Sequence, residues 1–187
     1  MPVKQFRTGP FDRRLEMKLR MILAGAIAAA SIVSFAGAAD AQSRRNEVRV
    51  NQYGVQNEVA GRQYGYRNSA SLRQDGYRQH ILIMQDGARN GTTVAQEGAY
   101  NDAYVDQYGR RNDAVIGQQG YNNGATAVQT GNNNLSGIYQ MGSNNSALTD
   151  QAGNNNAGAV IQVGNGNDAS LRQRGSGNVT LIIQGDH

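Results

Sequence analysis

The sequence points to an all-β chain: a two-sheet parallel β-solenoid, cross-β-like, built from thirteen 11-residue strand-turn units with two units in each 22-residue coil. Three features carry this reading. The chain repeats with an unbroken 11-residue period from Asn46 onward. One face of every unit is free of charge, and every unit but the last carries a glycine-centred turn. A fixed short period outranks other signals, because a repeat too small to bury a face alone must stack on its neighbours.

The first segment is of a different kind. Met17-Lys18-Leu19-Arg20 is a short basic stretch, Met21 to Ala36 is apolar and Ala-rich, and Ala39-Asp40-Ala41 is an A-x-A cleavage site. This is the pattern of a secretory signal peptide cleaved after Ala41, with Met17 as the start. The apolar run of 16 residues is too short for a membrane span, so no bound span is expected after processing. Residues 1–41 are assigned to this region, 42–45 to a short N-terminal segment, and 46–187 to the repeat domain.

Removing residues 1–41 changes the charge. The chain as a whole is +4, but residues 1–41 carry six Lys/Arg against three acids. The remainder holds twelve Arg, no Lys and eleven acids, close to neutral. A nucleic-acid partner therefore loses its main support. Cysteine is absent, which excludes disulfides and thiolate metal sites.

Each unit reads Asn-x-small-x-aliphatic-x-Gln-x-Gly-x-x. The seventh position is Gln52, Gln63, Gln74, Gln85, Gln96, Gln107, Gln118, Gln129, Gln140, Gln151, Gln162, Gln173 and Gln184. The first is Asn46, Asn57, Asn68, Asn90, Asn101, Asn112, Asn123, Asn134, Asn145, Asn156, Asn167 and Asn178, with Gln79 the exception. The ninth is Gly54, Gly65, Gly76, Gly87, Gly98, Gly109, Gly120, Gly131, Gly142, Gly153, Gly164 and Gly175, and Asp186 departs. A helix would place a Gly in every unit, at about 1 kcal/mol each relative to Ala. Alternation of positions 1, 3, 5 and 7 with 2, 4 and 6 is instead the period of a strand with one buried face. Positions 8–11 carry turn residues, so a seven-residue strand and a four-residue turn are expected.

The inner face can be identified from charge. Positions 1, 3, 5 and 7 make 52 sites, and none holds Asp, Glu, Lys, Arg or His. The nine Tyr avoid them too. Buried Asn and Gln need partners, because an unpaired buried amide costs about 1–3 kcal/mol. In a parallel in-register stack each amide can donate to its twin one rung away, at a spacing of about 4.8 Å. Small residues at position 3 and aliphatics at position 5 fill a thin interior. Uncapped ladder ends are templates for adding another chain.

The pattern resembles that of the curlin family, the subunits of bacterial curli fibres. Its repeat, Gln-x-Gly-x-x-Asn-x-Ala-x-x-x-Gln, is matched by Gln63 to Gln74 and again by Gln107 to Gln118, and the likeness runs from Asn46 to Gln184. The resemblance implies an extracellular functional amyloid: a homopolymer fibre that also meets other curlin subunits, supporting adhesion and biofilm matrix. It implies export through a curli-type outer-membrane channel with accessory factors. A minor nucleator subunit and a monomeric secreted binding solenoid are the alternative readings.

The outer face changes along the chain. Ten of the twelve Arg after Ala41 lie between Arg44 and Arg111, and from Asn112 to Leu171 the charges are Asp113, Asp150 and Asp168 alone. The charged half is expected to restrain premature assembly and the neutral half to favour it. If odd units form one sheet, Leu135, Tyr139, Ile161, Val179, Leu181 and Ile183 form a possible lateral contact patch. No catalytic, cofactor or metal motif is legible. His80 and His187 without cysteine do not make a zinc site, and no nucleophile elbow or P-loop is present. Neither an enzyme nor a cofactor is expected.

Overall fold

A computed structural model of the chain describes residues 45–185. The signal peptide region, its cleavage residues Ala39 and Ala41, Asp186 and His187 lie outside the described residues. Thirteen strands follow in order: β1 (Glu47–Val55), β2 (Glu58–Tyr66), β3 (Ser69–Tyr77), β4 (His80–Ala88), β5 (Gly91–Ala99), β6 (Asp102–Arg110), β7 (Asp113–Tyr121), β8 (Gly124–Asn132), β9 (Leu135–Ser143), β10 (Ser146–Asn154), β11 (Ala157–Asn165), β12 (Asp168–Ser176) and β13 (Val179–Gly185). The odd strands form a seven-stranded sheet and the even strands a six-stranded one, each in sequence order. Every pairing is parallel and in register at 22 residues, as in Gln96↔Gln118. This is the two-sheet solenoid expected from the period.

The unit boundaries differ from the expectation. The strand covers positions 2 to 10, nine residues in place of seven, and only positions 11 and 1 make the corner. The ninth-position glycines are therefore not in the turn. They sit near the strand's end, where a positive φ (+104° at Gly54, +127° at Gly120) bends the chain while pairing with the same bend one rung on continues. A Cβ on Gly120 would lie 1.9 Å from the carbonyl oxygen of Gly142, so neighbouring rungs forbid any side chain there. The corner residue proper is position 11, which is left-handed in every unit from Gln56 (φ 59°) to Gly177 (φ 73°).

Side chains at positions 3 and 5 meet between the sheets. Ile81, Val105 and Val160 are wholly buried, with Leu72, Ile83, Val94, Ile116, Ile138 and Leu171 close to it. Each such side chain contributes about 1.5–3 kcal/mol by leaving water. Polar residues within this layer satisfy each other: Ser136 and Thr149 share a hydroxyl hydrogen bond across the core. Gly158 leaves space that Leu171 fills, its Cδ2 lying 3.1 Å from where a Cβ would be.

Candidate functional site: the amide ladders

A fully buried Gln has two N–H groups and a carbonyl to satisfy, and the stacked coils supply partners for all three. Gln107 Nε2 donates to Gln129 Oε1 at 2.9 Å, to the Gly91 carbonyl on the facing sheet at 2.9 Å and to the Asn112 carbonyl at 3.0 Å. Its own Oε1 accepts from Gln85 at 2.8 Å. The same Gln-to-Gln bond joins Gln52 to Gln74 at one end of the stack and Gln162 to Gln184 at the other. The ladder thus bonds rungs together and also ties one sheet to the other.

The Asn column works differently from simple amide stacking. Asn90 Oδ1 accepts the backbone N–H of Asn112 at 3.1 Å, one rung on. Its Nδ2 donates back to the Asp86 carbonyl at 3.3 Å and forward to the Gly109 carbonyl at 3.1 Å. Each Asn is a clamp that closes the corner with backbone partners. From Asn123 onward Nδ2 also reaches the Asn one rung back, at 3.1 Å for Asn123 to Asn101 and 3.0 Å for Asn178 to Asn156. There an amide ladder is added to the clamp.

Two buried oxygens among the described residues lack a partner, Gln63 Oε1 and Gln79 Oε1. Gln79 stands where other units have Asn. Its Nε2 still reaches the Asp75 and Gly98 carbonyls, but the extra methylene shifts the oxygen away from the next backbone N–H. Gln63 belongs to β2, the first strand of the even sheet. All Gln bonds run donor-forward, so the first Gln of that sheet has an acceptor and no donor behind it.

A family model for the curlin associated repeat matches residues 44–76, 81–109, 87–120, 109–142 and 142–175, more than half of the chain. The chain belongs to the curlin family. No curated protein and no solved structure matches this curlin. Membership implies self-association with curlin subunits, and curlins are extracellular components of curli fibres, a structural and non-enzymatic family.

In this curlin the residues of the suggested patch share the outer face of the odd sheet. Leu135, Ala157 and Val179 stand in one register row, and Tyr139, Ile161 and Ile183 in another. Leu135, Tyr139, Val179, Leu181 and Ile183 are exposed, and Ile161 is half-buried between its neighbours. Asp113, at the boundary between charged and neutral rows, folds over Gly91, and burial pushes its carboxyl above the usual carboxylate range. Position 11, the left-handed column, was not singled out by sequence reasoning. Its signal was present: Asn122, Asn133, Asn144, Asn155, Gly166 and Gly177 recur there, and these residue types tolerate positive φ.

Proposed function

We propose that this curlin is a structural subunit of extracellular curli-like amyloid fibres. Copies add end to end by extending the Gln and Asn ladders, and the fibres serve adhesion and biofilm matrix. The chain reaches the surface through a curli-type secretion channel. The carrying observation is the direction of the Gln ladder. Gln63 presents a buried, unpartnered acceptor at the first rung of the even sheet, and every Gln-to-Gln bond donates toward the later rung. A donor end facing an acceptor end makes a heterologous contact, which propagates into a filament and does not close into a dimer.

Gly175 tests this. Among the described residues a Cβ there would meet only Asn178 Nδ2 at 3.8 Å, whereas at Gly153 it would strike the next rung at 1.8 Å. Gly175→Ala is strained by its φ of +100° and is expected to lower stability while leaving the chain folded, and to stop seeded growth of thioflavin-positive fibres, because the added rung would meet the methyl. Normal seeded elongation by the folded variant, or a wild-type chain that stays monomeric and dye-negative, sinks the reading in favour of a monomeric binding solenoid.

The apolar face of the odd sheet supports lateral bundling against the same face of a neighbouring fibre. The outward residues of β9, β11 and β13 carry no charge, so two copies of this face repel through nothing and exclude water. Leu181→Ser with Ile183→Ser is expected to thin the bundles in electron micrographs while elongation rates hold. Loss of elongation in that variant refutes the patch.

A further inference from the structure

The two corners of the coil treat arginine differently. At the corner after the odd strands, Arg78 is held by its own chain. Its Nε donates to Gln56 Oε1 at 2.7 Å and its Nη1 to the Tyr100 hydroxyl at 3.3 Å. Its guanidinium lies 4.9 Å from the Tyr77 ring centre.

At the corner after the even strands, position 11 is Arg67, Arg89 and Arg111 in succession, with Arg110 beside the last. The backbone N–H of Arg89 donates to the Tyr66 carbonyl and that of Arg111 to the Ala88 carbonyl, both at 3.0 Å, so these residues stand in single file. Consecutive members are one rung apart, about 4.8 Å. All four are exposed, and no ion pair among the described residues uses Arg89, Arg110 or Arg111.

These arginines are placed against conformational preference. Arg67, Arg89 and Arg111 adopt φ of 59°, 59° and 55°, a region that favours Asn or Gly. The same column changes to Asn133, Asn155 and Gly177 further along. The coil sets this conformation at every unit, so arginine is kept at these corners where Asn or Gly would be less strained. Two further features fit a ligand. Tyr64 and Tyr108, at the eighth positions of units 2 and 6 and three residues before Arg67 and Arg111, expose 66% and 61% of their surface. Asp86 stands between them in the same row, limiting the positive strip to the corner itself.

We propose that this corner binds an acidic polysaccharide carrying one carboxylate per sugar, laid along the solenoid axis. A guanidinium grips a carboxylate through two parallel N–H bonds, which an ammonium cannot do, and the repeat region uses Arg with no Lys. One sugar ring has about the length of one rung, so the carboxylates on the side of the glycan that faces the corner fall on rungs of the file. Each strand of a DNA duplex places its phosphates every ~3.4 Å along the axis and falls out of step with this file. The exposed Tyr rings offer faces on which sugar rings stack.

The test uses the full chain, both unpolymerised and as seeded fibres, over immobilised polygalacturonate at physiological salt. Arg89→Asn, Arg110→Asn and Arg111→Asn combined is expected to weaken binding at least ten-fold. Arg49→Asn, Arg172→Asn and Arg174→Asn combined removes the same charge elsewhere and is expected to change it less than two-fold. Methyl-esterified polygalacturonate, its carboxylates capped, is expected not to bind. Asn suits the left-handed corner, so an unchanged circular dichroism spectrum is expected for the ridge variant. Wild-type affinity in the ridge variant, equal loss in the control variant, or equal binding of the methyl ester overturns the proposal. Tighter binding to duplex DNA at equal charge concentration overturns it too, and assigns the ridge to nucleic acid. Binding by unpolymerised chain separates this outcome from any failure of fibre growth.

Discussion

Units 1–6 and units 7–12 share one backbone and differ in what decorates it. Both halves carry the Gln ladder, the Asn clamp and the ninth-position glycine in the same register. In the first half the corner residues are Gln56, Arg67, Arg78, Arg89, Tyr100 and Arg111, all at positive φ. In the second they are Asn122, Asn133, Asn144, Asn155, Gly166 and Gly177, which adopt that conformation readily. Asn122 and Asn144 even extend an amide bond along the corner at 2.8 Å. The second half also adds the Asn-to-Asn bonds within the clamp column. The two halves show that the ladders set the fold while corners and outer faces set local stability. The second half is the more stable by this reasoning, and the first half carries the charge that meets other molecules.

The largest effect is expected where the halves agree. Gly65→Ala and Gly120→Ala each drive a methyl against a backbone oxygen at 1.9 Å and are expected to lose about 4 kcal/mol or more in urea unfolding. Unequal losses would break the claim of a uniform ladder. Next comes the ladder itself. Gln118→Ala removes the acceptor of Gln96 Nε2 and the donor to Gln140 Oε1 and is expected to lose about 3 kcal/mol. Gln52→Ala, at the half-buried first rung, is expected to lose about 1 kcal/mol.

The corners sharpen the contrast. Arg89→Asn is expected to raise the unfolding free energy by about 1 kcal/mol, and Asn133→Arg to lower it by a similar amount. No change from either swap would remove the corner as the source of the difference. Gln79→Asn, which restores the clamp and removes an orphaned oxygen, is expected to add about 1 kcal/mol by the same measurement.

The smallest effect lies at Asp113. Burial raises its pKa in the folded chain, so protonation favours folding below the unfolded value and that contribution is lost as pH rises through the folded one. Asp113→Asn is expected to raise the thermal midpoint slightly at pH 7 and to leave it unchanged in acid below the unfolded pKa. A larger gain in acid than at neutrality would reverse the sign assigned to this site.

Much of this was legible in the residues. An inner face with no charge at 52 sites sets strand, parallel register and two sheets together, because only a stack at fixed spacing pairs every buried amide. The Gln column at position 7 falls directly out of that reasoning. The extent of each strand does not. Glycine followed by Asn or Arg reads as a turn, yet Gly54 and its successors stay in the ladder because each rung copies the bend below it.

The sequence by itself determined the period, the buried face, the stacking register and the gradient of charge along the chain, since each depends only on which residue recurs where. The tertiary structure alone decided three things. It placed the one true corner at position 11, turned the Asn column into a backbone clamp, and stood Arg67, Arg89 and Arg111 in file along one edge. The physical reason is common to all three. Each is a relation between a residue and the backbone 19 to 23 residues away, and that relation exists only once the coil has closed and the rungs lie on one another.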